Sequence, residues 1–397
     1  MEVKIGYKQT EIGIIPYDWE VKTVNELIDL LTDYDANGSF SSVAENVRVY
    51  DYQHFAWYVR STDLENNTNI TNVRYVDEPS YNFLKKTALY GGELLFLKRG
   101  DIGRIYLFEA KTKYATVAPN LYLLKLNKAI NSRYLFYFFN TKIGQQQLKS
   151  KNASSTLGAL YKDDVKSILV ATPTLKEQTA IANALSDTDS WINSLEQLLT
   201  KKRQIKQGAM QELLQPKEDW EVKKLGDLFN ITAGGDLDVG KFSLIQDEKY
   251  CFPIYSNALT NKGLYGFSLE YKQNENTITV TARGQVGVAN PRNHKYVAIG
   301  RVLMLNPITK LDINFISEFI NNYVQFSNES TGVPQLTAPQ ISNYEVILPI
   351  AEEQTRIASI LSDMDDEIAQ LETKLAKAKQ IKQGMMQELL TGRIRLV

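Results

Sequence analysis

The sequence predicts an α+β protein with two similar globular domains separated by two long helices. The helices form an antiparallel intramolecular coiled coil with a pseudo-two-fold axis. Three observations lead there. The segment Lys206-Gln207-Gly208-Ala209-Met210-Gln211-Glu212-Leu213-Leu214 returns as Lys382-Gln383-Gly384-Met385-Met386-Gln387-Glu388-Leu389-Leu390, and the register holds at 176 residues back to Gln178 and Gln354. Apolar residues at heptad spacing run through both copies. The stretches between the copies repeat more loosely and show no βαβ alternation, which argues against a doubly wound sheet.

The chain divides in order into a first globular domain (1–172), a first helix (173–215), a second globular domain (216–348) and a second helix with its tail (349–397). Asp18-Trp19-Glu20-Val21-Lys22 opens the first domain, and Asp219-Trp220-Glu221-Val222-Lys223 opens the second. The recurring tryptophans are expected in the core or against a helix. Within the first domain, 93–97 and 104–108 are expected strands around a glycine turn, 121–124 is a further strand, 132–148 is a helix and 168–170 is a last strand. Their counterparts in the second domain are 277–281, 286–288, 302–305, 313–326 and 345–348. Arg99-Gly100-Asp101-Ile102-Gly103 is echoed by Arg283-Gly284-Gln285-Val286-Gly287. Two copies are too few for a solenoid.

The first helix carries Ile181, Leu185, Thr188, Ile192, Leu195, Leu199 and Lys202 on its seam. The second carries Ile357, Leu361, Met364, Ile368, Leu371, Leu375 and Ala378. Pro173, Pro216 and Pro349 mark the edges. Each helix runs roughly 57 Å at 1.5 Å per residue. Charge sets the orientation. Asp363, Asp365, Asp366, Glu367 and Glu372 precede Lys374, Lys377, Lys379 and Lys382 in the second copy, and the first copy runs from Glu177, Asp187, Asp189 and Glu196 to Lys201, Lys202, Arg203 and Lys206. A parallel pair would set like charges together, whereas an antiparallel pair sets each acidic half against a basic one. Inverted domains would then suit inverted half-sites on a duplex, which has local two-fold symmetry.

At 397 residues with 43% apolar, 23% charged and 10% aromatic content, the composition is that of a folded soluble protein. No apolar run reaches the roughly 18 residues of a membrane span. The opening Met1–Gly6 lacks a signal-peptide pattern, so cytoplasmic residence is the expectation. Cys251 alone excludes an internal disulfide or a cysteine-rich zinc module. A net charge of −1 and a pI near 6.3 argue against a strongly basic stand-alone nucleic-acid binder.

Several motifs imitate chemistry without completing it. Gly235-x4-Gly240-Lys241 resembles a phosphate-binding loop, but Phe242 stands where a hydroxyl must meet magnesium, and Asp236 and Asp238 would repel phosphate. Asn306-Pro307-Ile308-Thr309 lacks the second proline and the aromatic of an adenine-methyltransferase motif, and is expected at a strand end. His54, His294 and Cys251 have no metal-ligand or nucleophile pattern around them. No catalytic or metal site is expected.

The duplicated Glu-Gln-x-x-Ile-Ala starts (Glu177–Ala182 and Glu353–Ala358), the repeated Lys-Gln-Gly-x-Met-Gln-Glu-Leu-Leu close, the Pro16-x-x-Trp19-Glu20 opening and the terminal Leu390-Thr391-Gly392-Arg393-Ile394-Arg395 resemble the specificity subunit of Type I restriction–modification enzymes. The likeness covers nearly the whole chain and is stronger in the helices than in the domains. The resemblance implies that each globule is a target-recognition domain reading one half of a split double-stranded DNA target. It also implies that the helices set the spacer and dock two methyltransferase subunits, and that restriction/translocase subunits complete the assembly. This chain would hold no cofactor, while S-adenosylmethionine, ATP and magnesium would belong to the partners.

Base edges and phosphates are met by Arg, Lys, Asn, Gln and hydroxyl side chains presented on turns. The candidate DNA-binding residues are therefore Lys98, Arg99 and Arg104 in the first domain, with Ser155 (in Ser154-Ser155-Thr156) and Lys162. In the second they are Arg283, Gln285, Arg292 and Asn293, with Ser330-Thr331 and Gln335. The repeated Arg-Gly pair has a second reading, as a structural turn with glycine at positive φ. Two rival functions are a scaffold carrying two ligand-binding globules without nucleic acid, and a methyltransferase acting by itself.

Overall fold

Each copy of the Glu-Val-Lys segment is extended behind a buried tryptophan, and each finds its partner in the strand just before a long helix. In the computed structural model, which describes residues 5–65, 70, 72–151, 158–326 and 335–396, Glu20–Thr23 pairs antiparallel with Leu169–Thr172, and Glu221–Lys224 pairs with Glu345–Leu348. The register is the same in both: Val21 faces Ala171 and Val222 faces Ile347. The chain forms two compact units, 1–196 with 374–397, and 197–373. These cut across the sequence-based boundaries, because each unit takes one end of each long helix.

The first unit has a four-stranded antiparallel main sheet in the order Ile105–Leu107, Leu94–Leu97, Leu121–Leu126, Ile28–Asp33. A second, five-stranded mixed sheet holds Ala115–Val117 parallel to Ala56–Val59 and antiparallel to Ala88–Leu89. The expected single helix over 132–148 is two helices, Ser132–Phe139 and Lys142–Ser150. Asn140 ends the first helix, and Thr141 caps the second by accepting from the Gly144 N–H at 3.1 Å. Gly144 is required there, since a Cβ would lie 2.5 Å from the Phe138 carbonyl oxygen.

The second unit repeats the plan. Its main sheet runs Ala289–Arg292, Thr277–Val280, Leu303–Pro307, Phe229–Ala233. The strand expected at 286–288 lies instead at Ala289–Arg292, because Gly287 is still in the turn at φ 94°. A second sheet places Phe252–Tyr255 parallel to Val297–Ala298. One helix, Ile313–Tyr323, covers the main sheet. Both units are thus α+β, each with two larger sheets besides its short two-stranded ladders.

The long helices span Leu175–Leu213 and Ala351–Leu389. In both helices the motif glutamine explains the Glu-Gln start. Gln178 donates to the Pro173 carbonyl at 3.0 Å and accepts from the Asn131 N–H at 2.7 Å. Gln354 donates to the Pro349 carbonyl at 2.9 Å and accepts from the Asp312 N–H at 3.1 Å. Asn131 and Asp312 are the N-caps of the helices on the main sheets, so each glutamine ties a long helix to its own domain. The leucines that close the motif serve the other core. Leu389 and Leu390 pack with Trp19, Ile181 and Leu185 in the first unit, and Leu214 packs with Trp220, Ile357 and Leu361 in the second.

Within each unit the two helix segments lie antiparallel, as the charge pattern predicts. Asp189 pairs with Lys382 at 2.6 Å in the first unit, and Lys206 pairs with Asp365 at 2.6 Å in the second. A shift of 176 residues maps Asp189 onto Asp365 and Lys206 onto Lys382, so this is one pair made twice with exchanged roles. Glu196–Lys379 and Arg203–Glu372 repeat it. Lys202 pairs with Glu367, whereas their counterparts are the buried Ala378 and the exposed Trp191. The seam positions are buried or half-buried throughout.

Candidate nucleic-acid interface

The turn after the strand Leu94–Leu97 is fastened by backbone. The Leu160 N–H donates to the Lys98 carbonyl at 3.0 Å and the Gly100 N–H to the Gly158 carbonyl at 2.9 Å, with Arg99 bridging to Ala159. The turn after Thr277–Val280 is fastened the same way. The Leu336 N–H donates to the Ala282 carbonyl at 2.9 Å, and Arg283 bridges to Gln335. Gly100, Gly103, Gly284 and Gly287 all have positive φ. The structural reading of the Arg-Gly pairs is therefore right for the glycines. The arginines do not pack across the turn. Arg99 and Arg283 are exposed, and neither makes an ion pair among the described residues. Gln285 and Gln335 are exposed beside Arg283.

The other candidates occupy different settings. Lys98 and Lys162 both bond the buried Asp33, each at 2.8 Å, and Lys98 also reaches Asp35 at 2.7 Å. Burial alone would raise the Asp33 carboxyl, but the bonds from Lys162 and Lys98 outweigh it and hold the group below the usual carboxylate range. The two lysines thus neutralise a buried acid; the Lys98 side chain is 15% exposed and held by two carboxylates, which takes it away from a phosphate, whereas the Lys162 side chain is 37% exposed and held by one. Arg104 is exposed but bonded to Asp101 at 2.7 Å and Glu65 at 3.2 Å. Asn293 is exposed and donates to Asn314 at 3.4 Å. Ser154, Ser155, Thr156, Ser330 and Thr331 lie outside the described residues.

Arg292 is a correction. Its side chain is 3% exposed, its Nε donates to Thr279 Oγ1 at 2.9 Å, its Nη2 donates to the Lys262 carbonyl at 2.7 Å, and its guanidinium lies 3.4 Å from the Tyr255 ring centre. Burial lowers its pKa. It is the last residue of the strand Ala289–Arg292, at the opposite end from the Arg283 turn in which the sequence placed it, and its buried side chain faces inward, away from any base edge. Lys98 is a correction for the reason given above.

The residues that imitated chemistry make these contacts in the fold. His54 accepts from the Phe55 N–H and stacks on Tyr50. His294 bonds the Tyr255 hydroxyl at 2.8 Å. Lys241 pairs with Glu270, and Gly235 bridges to Ile299, so the loop-like motif serves the sheet. Asn306 and Pro307 end a strand, and Cys251 is exposed in a loop.

Sequence reasoning missed Asn257. Its Oδ1 accepts from the Ala282 N–H at 2.7 Å, and its Nδ2 donates to the Gly300 carbonyl. One side chain thereby joins the Arg283 turn to the turn ending at Arg301. No local pattern marks this asparagine, because its partners are 25 and 43 residues away.

The two units also differ at one cleft. In the first, the Tyr137 hydroxyl donates to Asp189 at 2.7 Å, and Arg133 bonds Ser186. Aligned on the N-caps Asn131 and Asp312, the second unit has Glu318 and Asn314 at these positions. There a cavity of about 490 Å³ opens, lined by Glu318, Asn314, Arg292, Lys262, Ser362 and Asp365 among others. Burial raises the Glu318 pKa, the Lys206 charge opposes this, and Asp365 adds to it.

Comparison with known proteins agrees with this duplicated plan. The MjaX type I restriction enzyme specificity subunit of Methanocaldococcus jannaschii is 26% identical over 98% of this chain and 97% of its own length. A type I specificity subunit of Mycoplasma pneumoniae is 26% identical over 76% of this chain and 86% of its own. The crystal structure of a Type I restriction–modification S subunit from M. genitalium has the same fold, with a TM-score of 0.61 at 15% identity over 98% of both chains. The HsdS subunit of Thermoanaerobacter tengcongensis superimposes with a TM-score of 0.52, covering 96% of this chain and 98% of that one. The family model of the Type I restriction modification DNA specificity domain matches residues 16–207 and again 217–382, one match for each half of the duplication, and the chain belongs to that family.

Proposed function

We propose that this chain is the sequence-reading subunit of a Type I restriction–modification assembly, and that each unit reads one half of a split double-stranded DNA target. The observation that carries this reading is the repeated turn. Two copies of one backbone latch hold two exposed arginines, Arg99 and Arg283, that make no ion pair among the described residues, each next to a glycine at positive φ. Unpaired guanidinium groups on fastened turns are suited to phosphate or base contact, since little side-chain or backbone ordering remains to be done on binding. Arg104, Gln285, Gln335 and Lys162 lie beside these turns as secondary contacts, and Asn293 is a further candidate at the far end of the strand Ala289–Arg292. A chain of net charge −1 binds DNA through such local surfaces rather than through its overall field.

The long helices would set the spacer and dock two methyltransferase subunits, with restriction/translocase subunits added. Ile205 and its counterpart Ile381, one in each unit, are 46% and 41% exposed on helix faces that the seam does not use. Two equivalent apolar positions support two equivalent partners. S-adenosylmethionine, ATP and magnesium would act in those partners, and this chain would supply specificity without chemistry.

The test is binding and methylation by the chain together with its methyltransferase subunits on a randomised duplex library. A bipartite consensus, with affinity falling steeply as salt rises, is the expected result. Flat salt dependence without sequence preference would overturn the reading, as would methyl transfer by the isolated chain.

A further inference from the structure

Arg301 is an arginine held in the left-handed region, at φ 67°, directly after Gly300 at φ 65°. Side chains resist this conformation because Cβ crowds the carbonyl oxygen. Asparagine recovers part of that cost by bonding to nearby backbone, and arginine has no such local compensation. Among the described residues, three of the six non-glycine residues at positive φ are asparagines, and Arg301 is the one arginine.

The surrounding backbone forces the conformation. The Gly234 N–H donates to the Val302 carbonyl at 2.7 Å, and the Gly300 N–H to the Gly235 carbonyl at 3.0 Å. Gly234 permits this approach, since a Cβ there would lie 2.8 Å from the Ala298 backbone. Asn257 holds the Gly300 carbonyl from the other side. Strain that several contacts over-determine is a feature of functional positions.

The arginine itself is not used by the fold. It is exposed and makes no ion pair or hydrogen bond among the described residues, Asp236 beside Gly235 included. Asn257 binds the residue before Arg283 and the residue before Arg301, so one amide sets these two exposed guanidinium groups, without ion pairs among the described residues, in one loop cluster.

The first unit gives the contrast that assigns a role. Arg99 matches Arg283, whereas Arg301 is matched by Asn120, which also precedes the last long strand of its main sheet and bonds the Arg99 turn. What both units share suits what both half-sites share, the phosphate backbone. What differs suits the bases. Arginine recognises the O6 and N7 acceptors of guanine, and asparagine recognises the N6 and N7 edge of adenine. Resting on the DNA-reading function proposed above, we infer that Arg301 is a base-reading residue of the second unit, directed at a guanine in its half-site, with Arg283 on the adjoining phosphate.

The experiment profiles methylation by the chain with its methyltransferase subunits on the randomised library, for wild type, Arg301→Gly and Arg283→Ala. Glycine is chosen at 301 because it accepts φ 67° and relieves the strain, so the variant folds. Arg301→Gly is expected to reduce guanine preference at one position of one half-site by about tenfold and to leave the other half-site unchanged. Arg283→Ala is expected to weaken all targets alike and to lower the salt slope by about one. A wild-type bipartite consensus with unaltered preference in Arg301→Gly would overturn this inference alone, as would a uniform loss like that of Arg283→Ala. A wild type without any bipartite consensus would overturn the DNA-reading function and this inference with it.

Discussion

Trp19 donates its indole N–H to Glu177 at 3.1 Å in the first unit, on a carboxylate that Arg395 also grips. Trp220 opens the second repeat with the same five residues, yet its buried indole nitrogen has no acceptor among the described residues. The carboxylate that matches Glu177 is Glu353, which pairs outward with Lys217 at 2.8 Å. Trp19→Phe is therefore expected to cost about 1 to 3 kcal/mol, the price of a buried bond to a charged acceptor. Trp220→Phe removes an unsatisfied donor and is expected within about 1 kcal/mol of neutral. Denaturant unfolding of the two variants checks this, and equal losses would contradict it.

The recurring ion pairs predict a specific coupling. Arg203 and Glu372 face each other across the helices, about half exposed. Arg203→Glu and Glu372→Arg should each lower stability by about 0.5 kcal/mol, and the double exchange should recover most of the loss. The coupling should shrink with added salt. A double-mutant cycle at low and high ionic strength measures it, and an additive double variant would mean that the pair is not formed.

Glu318 predicts a pH dependence of opposite sign to the usual carboxylate. Burial raises its pKa in the folded state, and the nearby Asp365 raises it further, against Lys206 and Lys262. A raised folded-state pKa gives stability that is full below the unfolded value, near 4.3, and is lost as pH rises through the folded value. Glu318→Gln should therefore match wild type below about pH 4 and exceed it at neutral pH. Glu318→Tyr should gain further, because the counterpart Tyr137 is buried and bonds Asp189. Thermal unfolding from pH 4 to 8 checks both, and a parallel pH profile for wild type and Gln would refute the prediction.

Two arginines that look alike in the sequence should fail differently. Arg99→Ala should leave stability within about 0.5 kcal/mol of wild type, as for an exposed unpaired side chain, and weaken DNA binding with a salt slope smaller by about one. Arg292→Ala should cost about 2 kcal/mol or more, since it strands the Thr279 hydroxyl and the Lys262 carbonyl and empties the space over Tyr255. Calorimetry with binding isotherms on the same proteins separates the two effects.

The duplication, the heptad seam and the antiparallel pairing were legible because helical periodicity and charge act within a few residues along the chain. Asp189, Lys206, Asp365 and Lys382 stand at fixed offsets, so their pairing follows from the sequence once the helices are known. The paired tryptophans, the strand before each helix and the glycine turns were legible for the same local reason. Which polar residues face solvent was not. Lys98, Arg99 and Arg292 are all basic residues near a glycine turn in the sequence, yet one neutralises Asp33, one is exposed with no ion pair among the described residues, and one lies under Tyr255. Asn257 and Arg301 gave no signal at all. The sequence by itself determined the repeated architecture, because local periodicity encodes it. Only the tertiary structure decided which charges remain unspent, because that depends on carboxylates and carbonyls brought together from distant parts of the chain.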